Sequence, residues 1–236
     1  MNRGNNKQGF TLVELMLAMG FVSALLLAIA MTVIQIGNIY NRGITYKSVN
    51  QAGTMLASEL QRGINSSSPF DPDSTKYYVP EDWGGRLCIG QYSYIWNFGN
   101  AIQANDTTKL NVYSNAPDPN TQINFVKVQD SSKSYCIDAT TTKKDVNFAD
   151  AVELLDAGQT ELAIHSFTIA SAPPDGSTGQ RLYNISYLIG TNDQTTLSGS
   201  SDATTCLTAN NVKADSNYCA INQFDIVARA GNKAAE

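Results

Sequence analysis

The chain has 236 residues, 42% of them hydrophobic and 16% charged, with a formal net charge of −5. That apolar content excludes a disordered polymer. The surplus of 21 acidic over 16 basic residues, with no long basic run, excludes electrostatic capture of nucleic acid. The length suits one membrane segment followed by one soluble domain.

The first element is apolar. Leu15 to Ile34 is a run of 20 residues without a charge. As a helix rising about 1.5 Å per residue it spans roughly 30 Å, one hydrocarbon core. Arg3 and Lys7 precede it and Arg42 and Lys47 follow, so charge bias gives little orientation. An ordinary signal peptide is disfavoured. The run is long for one, and QIGNIYNRG lacks a small-x-small cleavage site. A plain signal anchor leaves Glu14 needing a reason, although a carboxylate is favourable in the first turn of a helix.

The string Gln8-Gly9-Phe10-Thr11-Leu12-Val13-Glu14-Leu15 resembles the class III signal of type IV prepilins and of the pseudopilins of type II secretion. The resemblance implies cleavage between Gly9 and Phe10 by a membrane prepilin peptidase, then N-methylation of Phe10. It also implies that Glu14, fifth in the mature chain, pairs with the Phe10 amine of a neighbouring subunit or its own. Such an amine is costly to bury alone, and a carboxylate that answers it also penalises wrong register. The implied partners are other pilin subunits through the N-terminal helix, the prepilin peptidase, the membrane and the pilus assembly platform. Nucleic acid enters only if the apparatus is a DNA-uptake system. The implied location is the cytoplasmic membrane before assembly and a surface filament afterwards. One departure matters: many major pilins carry a Pro late in the span, whereas here Met31 stands at that place and no Pro occurs between Met1 and Ser68. This favours a minor subunit.

Beyond the span, Val49, Ala52, Leu56, Leu60 and Ile64 recur at steps of three and four, with Met55 beside them. Lys47, Asn50, Gln51, Ser58, Gln61 and Arg62 form the other face. Gly63 and Ser66-Ser67-Ser68-Pro69 end the pattern. The reading is one helix from Thr11 to Ile64, apolar all round in its first half and on one face in its second. The string Ala57-Ser58-Glu59-Leu60-Gln61-Arg62 is similar to the J/W branch of minor pilins and pseudopilins, as is the stretch from Leu154 to Ile189.

Phe70 to Asp82 reads as a loop. Strands are expected over Arg86–Phe98, Leu110–Tyr113, Gln122–Gln129, Ser134–Ile137, Glu161–Ala170, Gln180–Ile189 and Tyr218–Arg229, all rich in β-branched and aromatic residues. Tyr92, Tyr94, Trp96 and Phe98 alternate, as do Tyr183, Ile185, Tyr187 and Ile189. A short helix is expected over Phe148–Leu155. One long helix followed by strands is an α+β order. The resemblance implies the pilin fold, with the helix packed on an antiparallel sheet and a loop-rich C-terminal region. The expected division is a leader over 1–9, a transmembrane and assembly helix over 10–34, its amphipathic continuation over 35–66 and a β-rich head over 67–236.

Cys88, Cys136, Cys206 and Cys219 lack CxxC spacing, so zinc-ribbon and thioredoxin readings are weak. An even count outside a membrane points to disulfides rather than free thiols. Cys206–Cys219, which closes a short polar loop, is the preferred pair and leaves Cys88–Cys136. His165 is the single histidine and sits in an alternating strand with Ala163 and Phe167, so a half-buried structural role is expected. No nucleophile elbow, Walker A or dinucleotide fingerprint occurs. Asp71, Asp73 and Asp106 read as solvated turns, since an oxygen cage needs more ligands. No catalytic residue, cofactor or metal is expected. The expected function is structural: a minor pilin near a filament tip. The alternatives are a J-type pseudopilin of a secretion or DNA-uptake system, and a membrane-anchored adhesin outside any filament.

Overall fold

The structure, a computed structural model, describes residues 11–106, 108–118, 121–137, 143–155, 161–173, 179–193, 195–208, 210–215 and 217–231. The described residues fall into two units that divide between Asn41 and Arg42.

The first element, α1, runs from Leu12 to Asn65, 54 residues without a Pro. Thr11 and Glu14 start it with reciprocal bonds. The carboxylate of Glu14 accepts from the Thr11 N–H at 3.0 Å, and the Glu14 N–H donates to Thr11 Oγ1 at 3.3 Å. This is a capping box, which satisfies donors that a helix start leaves open. Inside the apolar run, Ser23 and Thr32 turn their hydroxyls back to the carbonyls of Met19 and Ala28, both at 2.8 Å. At the far end Ser66 and Ser67 donate to the carbonyls of Gly63 and Ile64, which have no partner further along the helix.

In the unit from Arg42 onward, α1 is followed by β1 (Tyr78–Glu81), β2 (Gly84–Ile89), β3 (Tyr92–Asn97) and the short helix α2 (Gly99–Ala104). Then come β4 (Val112–Ser114), β5 (Phe125–Gln129), α3 (Ser134–Ile137), β6 (Asp145–Asn147) and β7 (Ala151–Glu153). The chain ends with β8 (Leu162–Ser171), β9 (Arg181–Thr191), β10 (Leu197–Ser198), β11 (Thr205–Cys206) and β12 (Ile221–Ala230). β1-β2-β3-β5-β7 form a five-stranded antiparallel sheet, and β12-β9-β8 a three-stranded one. An isolated bridge joins Phe98 to Ile164. The fold is α+β, a long N-terminal helix with antiparallel sheet.

The expected stripe is the helix's contribution to the core. Val49, Leu56, Leu60 and Ile64 are fully buried against Tyr94, Trp96 and Phe125 of one sheet and Phe167, Tyr183, Ile185, Tyr187 and Ile189 of the other. Met55 is the exception, on the outer flank and 66% exposed. Gly53 permits the closest approach. A Cβ there would lie 2.1 Å from the Phe224 ring, and the Gly53 carbonyl accepts from the Tyr187 hydroxyl at 2.7 Å.

Several expected elements differ. Arg86–Phe98 is a hairpin, turning at Gly90 with φ of +57°. Ser134–Ile137 is the helical turn α3, because Asp130 accepts from the N–H groups of Ser134 and Tyr135 and so caps a helix start. Phe148–Leu155 is a 3₁₀ turn over Phe148–Asp150 followed by strand β7, since the edge of β5 offers backbone partners there. Leu110–Tyr113 is shifted to Val112–Ser114, where it pairs in parallel with β6. His165 is 5% exposed rather than half-buried, beside a bulge in β8, and its Nε2 donates to the Thr191 carbonyl.

Candidate functional site

Gly9 and Phe10, the expected cleavage and methylation positions, lie outside the described residues. Glu14 is described, in the first turn of α1 and fully open to solvent. Its Oε2 accepts from the Thr11 hydroxyl at 2.8 Å as well as from the Thr11 amide. It is the one charged residue between Leu12 and Asn41.

Around it the helix surface is apolar and bare. Leu17 is 74% exposed and Phe21, Leu27, Met31 and Ile34 are more than half exposed. A long apolar surface that is exposed among the described residues is stable only in lipid or against other apolar surfaces. The helix is long and apolar enough to cross a membrane, as a single-pass anchor does.

In the head, α1 is keyed to the five-stranded sheet through Glu59. Its Oε1 accepts from Lys127 Nζ at 2.5 Å and from the Tyr94 hydroxyl at 3.2 Å, and Arg62 lies 3.8 Å from its other oxygen. Lys127 also sits over the Tyr92 ring at 3.8 Å. Burial raises the Glu59 carboxyl, but Lys127, Tyr94 and Arg62 together outweigh it and hold the group below its ordinary value. Sequence reasoning singled out Glu59 only as part of a string. The signal for its role is its place directly beside Leu60, at the margin of the buried stripe, where a carboxylate needs a partner.

A second carboxylate, Glu153, is held by neutral donors among the described residues. It accepts from the N–H groups of Asn124, Phe125 and Leu155 and from the Tyr113 hydroxyl. Burial raises its carboxyl, and these bonds only partly offset the shift.

The four cysteines form two bridges. Cys88–Cys136 joins β2 to α3 with Cα atoms 6.2 Å apart, and Cys206–Cys219 joins β11 to the approach to β12 at 5.9 Å. Asp71 is beside Arg181 at 3.4 Å, and Asp106 caps its own turn through Thr108. Among the described residues no group of three or more His, Cys, Asp or Glu side chains is arranged to hold a metal.

No model of a protein family matches this chain, and no curated protein or solved structure does either.

Proposed function

We propose that this chain is a prepilin of the type IV pilin superfamily that serves as a minor, structural subunit of a filament, held in the cytoplasmic membrane until assembly. One observation carries the reading. The string Gly9-Phe10-Thr11-Leu12-Val13-Glu14 leads into an unbroken helix whose first turn holds Glu14 and whose apolar first half is exposed among the described residues. The long helix packed on antiparallel strands supports the same reading, because it is the architecture that the resemblance implies. The Pro-free helix favours the minor subunit.

Cleavage at Gly9 leaves the Phe10 amine one residue before the capping Thr11. A carboxylate three residues further on then neutralises that amine when the helix enters an apolar bundle. The head stays in solvent and makes the lateral contacts. Catalysis has no part in this reading.

The test is intact mass and N-terminal analysis of the protein from cells with an active prepilin peptidase. A chain that begins at N-methylated Phe10 is expected, and one that still begins at Met1 overturns the reading. Glu14→Ala is expected to be cleaved normally but to fail to enter filaments. Normal filament incorporation of that variant removes the role assigned to Glu14.

A further inference from the structure

Arg86 stands at the middle of β2 with its side chain 0% exposed. Among the described residues Nε, Nη1 and Nη2 have no hydrogen-bond partner. The nearest counter-charge is Glu81, whose Oε1 lies 3.6 Å from Nη2 on a part-exposed side chain. A guanidinium carries five donors and cannot shed its charge. A buried one with none of them used is an unspent binding capacity for a planar or tetrahedral oxyanion.

The strand that carries Arg86 is tied to α3 by one covalent bond, the Cys88–Cys136 disulfide. Arg86 and Cys88 are two residues apart on β2 and so share a face of the sheet. Val79 lies directly across from Arg86 on β1, and it packs with Cys88, Cys136 and Tyr135. Cys136 and Tyr135 belong to α3. The N-terminal end of α3 is fixed by Asp130, which accepts from Ser134 and Tyr135. At its other end Ile137 is 61% exposed, and Cys136 is tied to β2 through Cys88–Cys136.

We infer that the Cys88–Cys136 disulfide is a redox latch over a cationic site, and that its reduction lets α3 lift from β2 so that Arg86 binds an oxyanion. A thiol donor supplies the two electrons and two protons. The S–S bond breaks, Cys88 and Cys136 become thiols, and the donor is oxidised to its own disulfide. The inference does not depend on the filament reading.

The test is phenylglyoxal labelling of the full chain in detergent, read arginine by arginine by peptide mass mapping. Arg62, 78% exposed, is the internal standard. In the oxidised protein Arg86 stays unlabelled while Arg62 reacts. In Cys88→Ser/Cys136→Ser the Arg86 rate rises at least about tenfold, as expected when a local opening loses its restraint, and sulfate slows it. In Cys206→Ser/Cys219→Ser it does not rise. Labelling of Arg86 in the oxidised protein, or none in the folded Cys88→Ser/Cys136→Ser variant, overturns the latch. Labelling that sulfate leaves unchanged overturns the oxyanion site. If the variant fails to fold, the wild type is titrated with a thiol reductant while Cys88 and Cys136 alkylation is followed on the same peptides. Both cysteines alkylated with Arg86 still silent overturns the inference.

Discussion

Lys127 Nζ lies 2.5 Å from the Glu59 carboxylate, so a strand of the five-stranded sheet is pinned to the helix by a charge-assisted bond at the margin of the core. The Tyr94 hydroxyl joins the same oxygen and sits over Gly63, where a Cβ would come within 2.4 Å of it. Helix, central strand and neighbouring strand therefore meet at one carboxylate. Replacing it with a neutral amide leaves the Lys127 ammonium without its counter-charge and weakens the bond from Tyr94. Glu59→Gln is expected to lower head stability by about 1–3 kcal/mol, measured by urea denaturation. Lys127→Met combined with it should cost less than the two single changes added together, because the second change removes a group already left unpaired.

The two half-buried carboxylates give opposite pH responses. The folded value of Glu59 is lowered, so its contribution is present above the ordinary value of 4.5 and is lost as pH falls through the folded value. That of Glu153 is raised, so ionisation costs stability at neutral pH, and the cost is relieved as pH falls through the folded value toward 4.5. In variant-minus-wild-type denaturation curves, Glu59→Gln should differ most at neutral pH and converge below 4.5. Glu153→Gln should lose the gain above 4.5. A parallel offset at every pH would contradict both assignments.

Gly53 and Gly43 lie ten residues apart on one helix and make opposite predictions. Gly43→Ala meets nothing within 4 Å, so the better helix former should be neutral or stabilising by up to about 1 kcal/mol. Gly53→Ala drives a methyl into the Phe224 ring and should destabilise by about 1–3 kcal/mol. Thermal melts of the two variants distinguish them, and Phe224→Leu should restore part of the Gly53→Ala loss.

Cys206–Cys219 closes a segment with a sequence separation of 13. Replacing both cysteines with serine should cost about 2–4 kcal/mol, mainly by freeing the unfolded chain. The expected signature is a lower urea midpoint with an increased m-value, since the unfolded state becomes more expanded.

How much of this was legible follows from the range of each interaction. The helix from Leu12 to Asn65 is written in local terms: an apolar run, a stripe at steps of three and four, a Thr–Glu capping pair and no Pro. The strands with strong alternation, such as Tyr183 to Ile189, are legible for the same reason, since one face must be apolar. Ser134–Ile137 was not, because its composition suits a strand and the helical turn depends on Asp130, whose carboxylate reaches four and five residues along. Phe148–Leu155 was not, because β7 exists only where β5 presents a free edge.

The sequence alone determined the long helix, its apolar first half and the solitary carboxylate in its first turn, since these rest on composition and on neighbours within one or two turns. Only the tertiary structure decided that Glu59 meets Lys127 across 68 residues, that Glu153 gathers four donors, and that Arg86 is buried with its donors unused among the described residues. Those relationships depend on which strands lie side by side and in what register. That arrangement is set by the packing of the whole core rather than by any short stretch of chain.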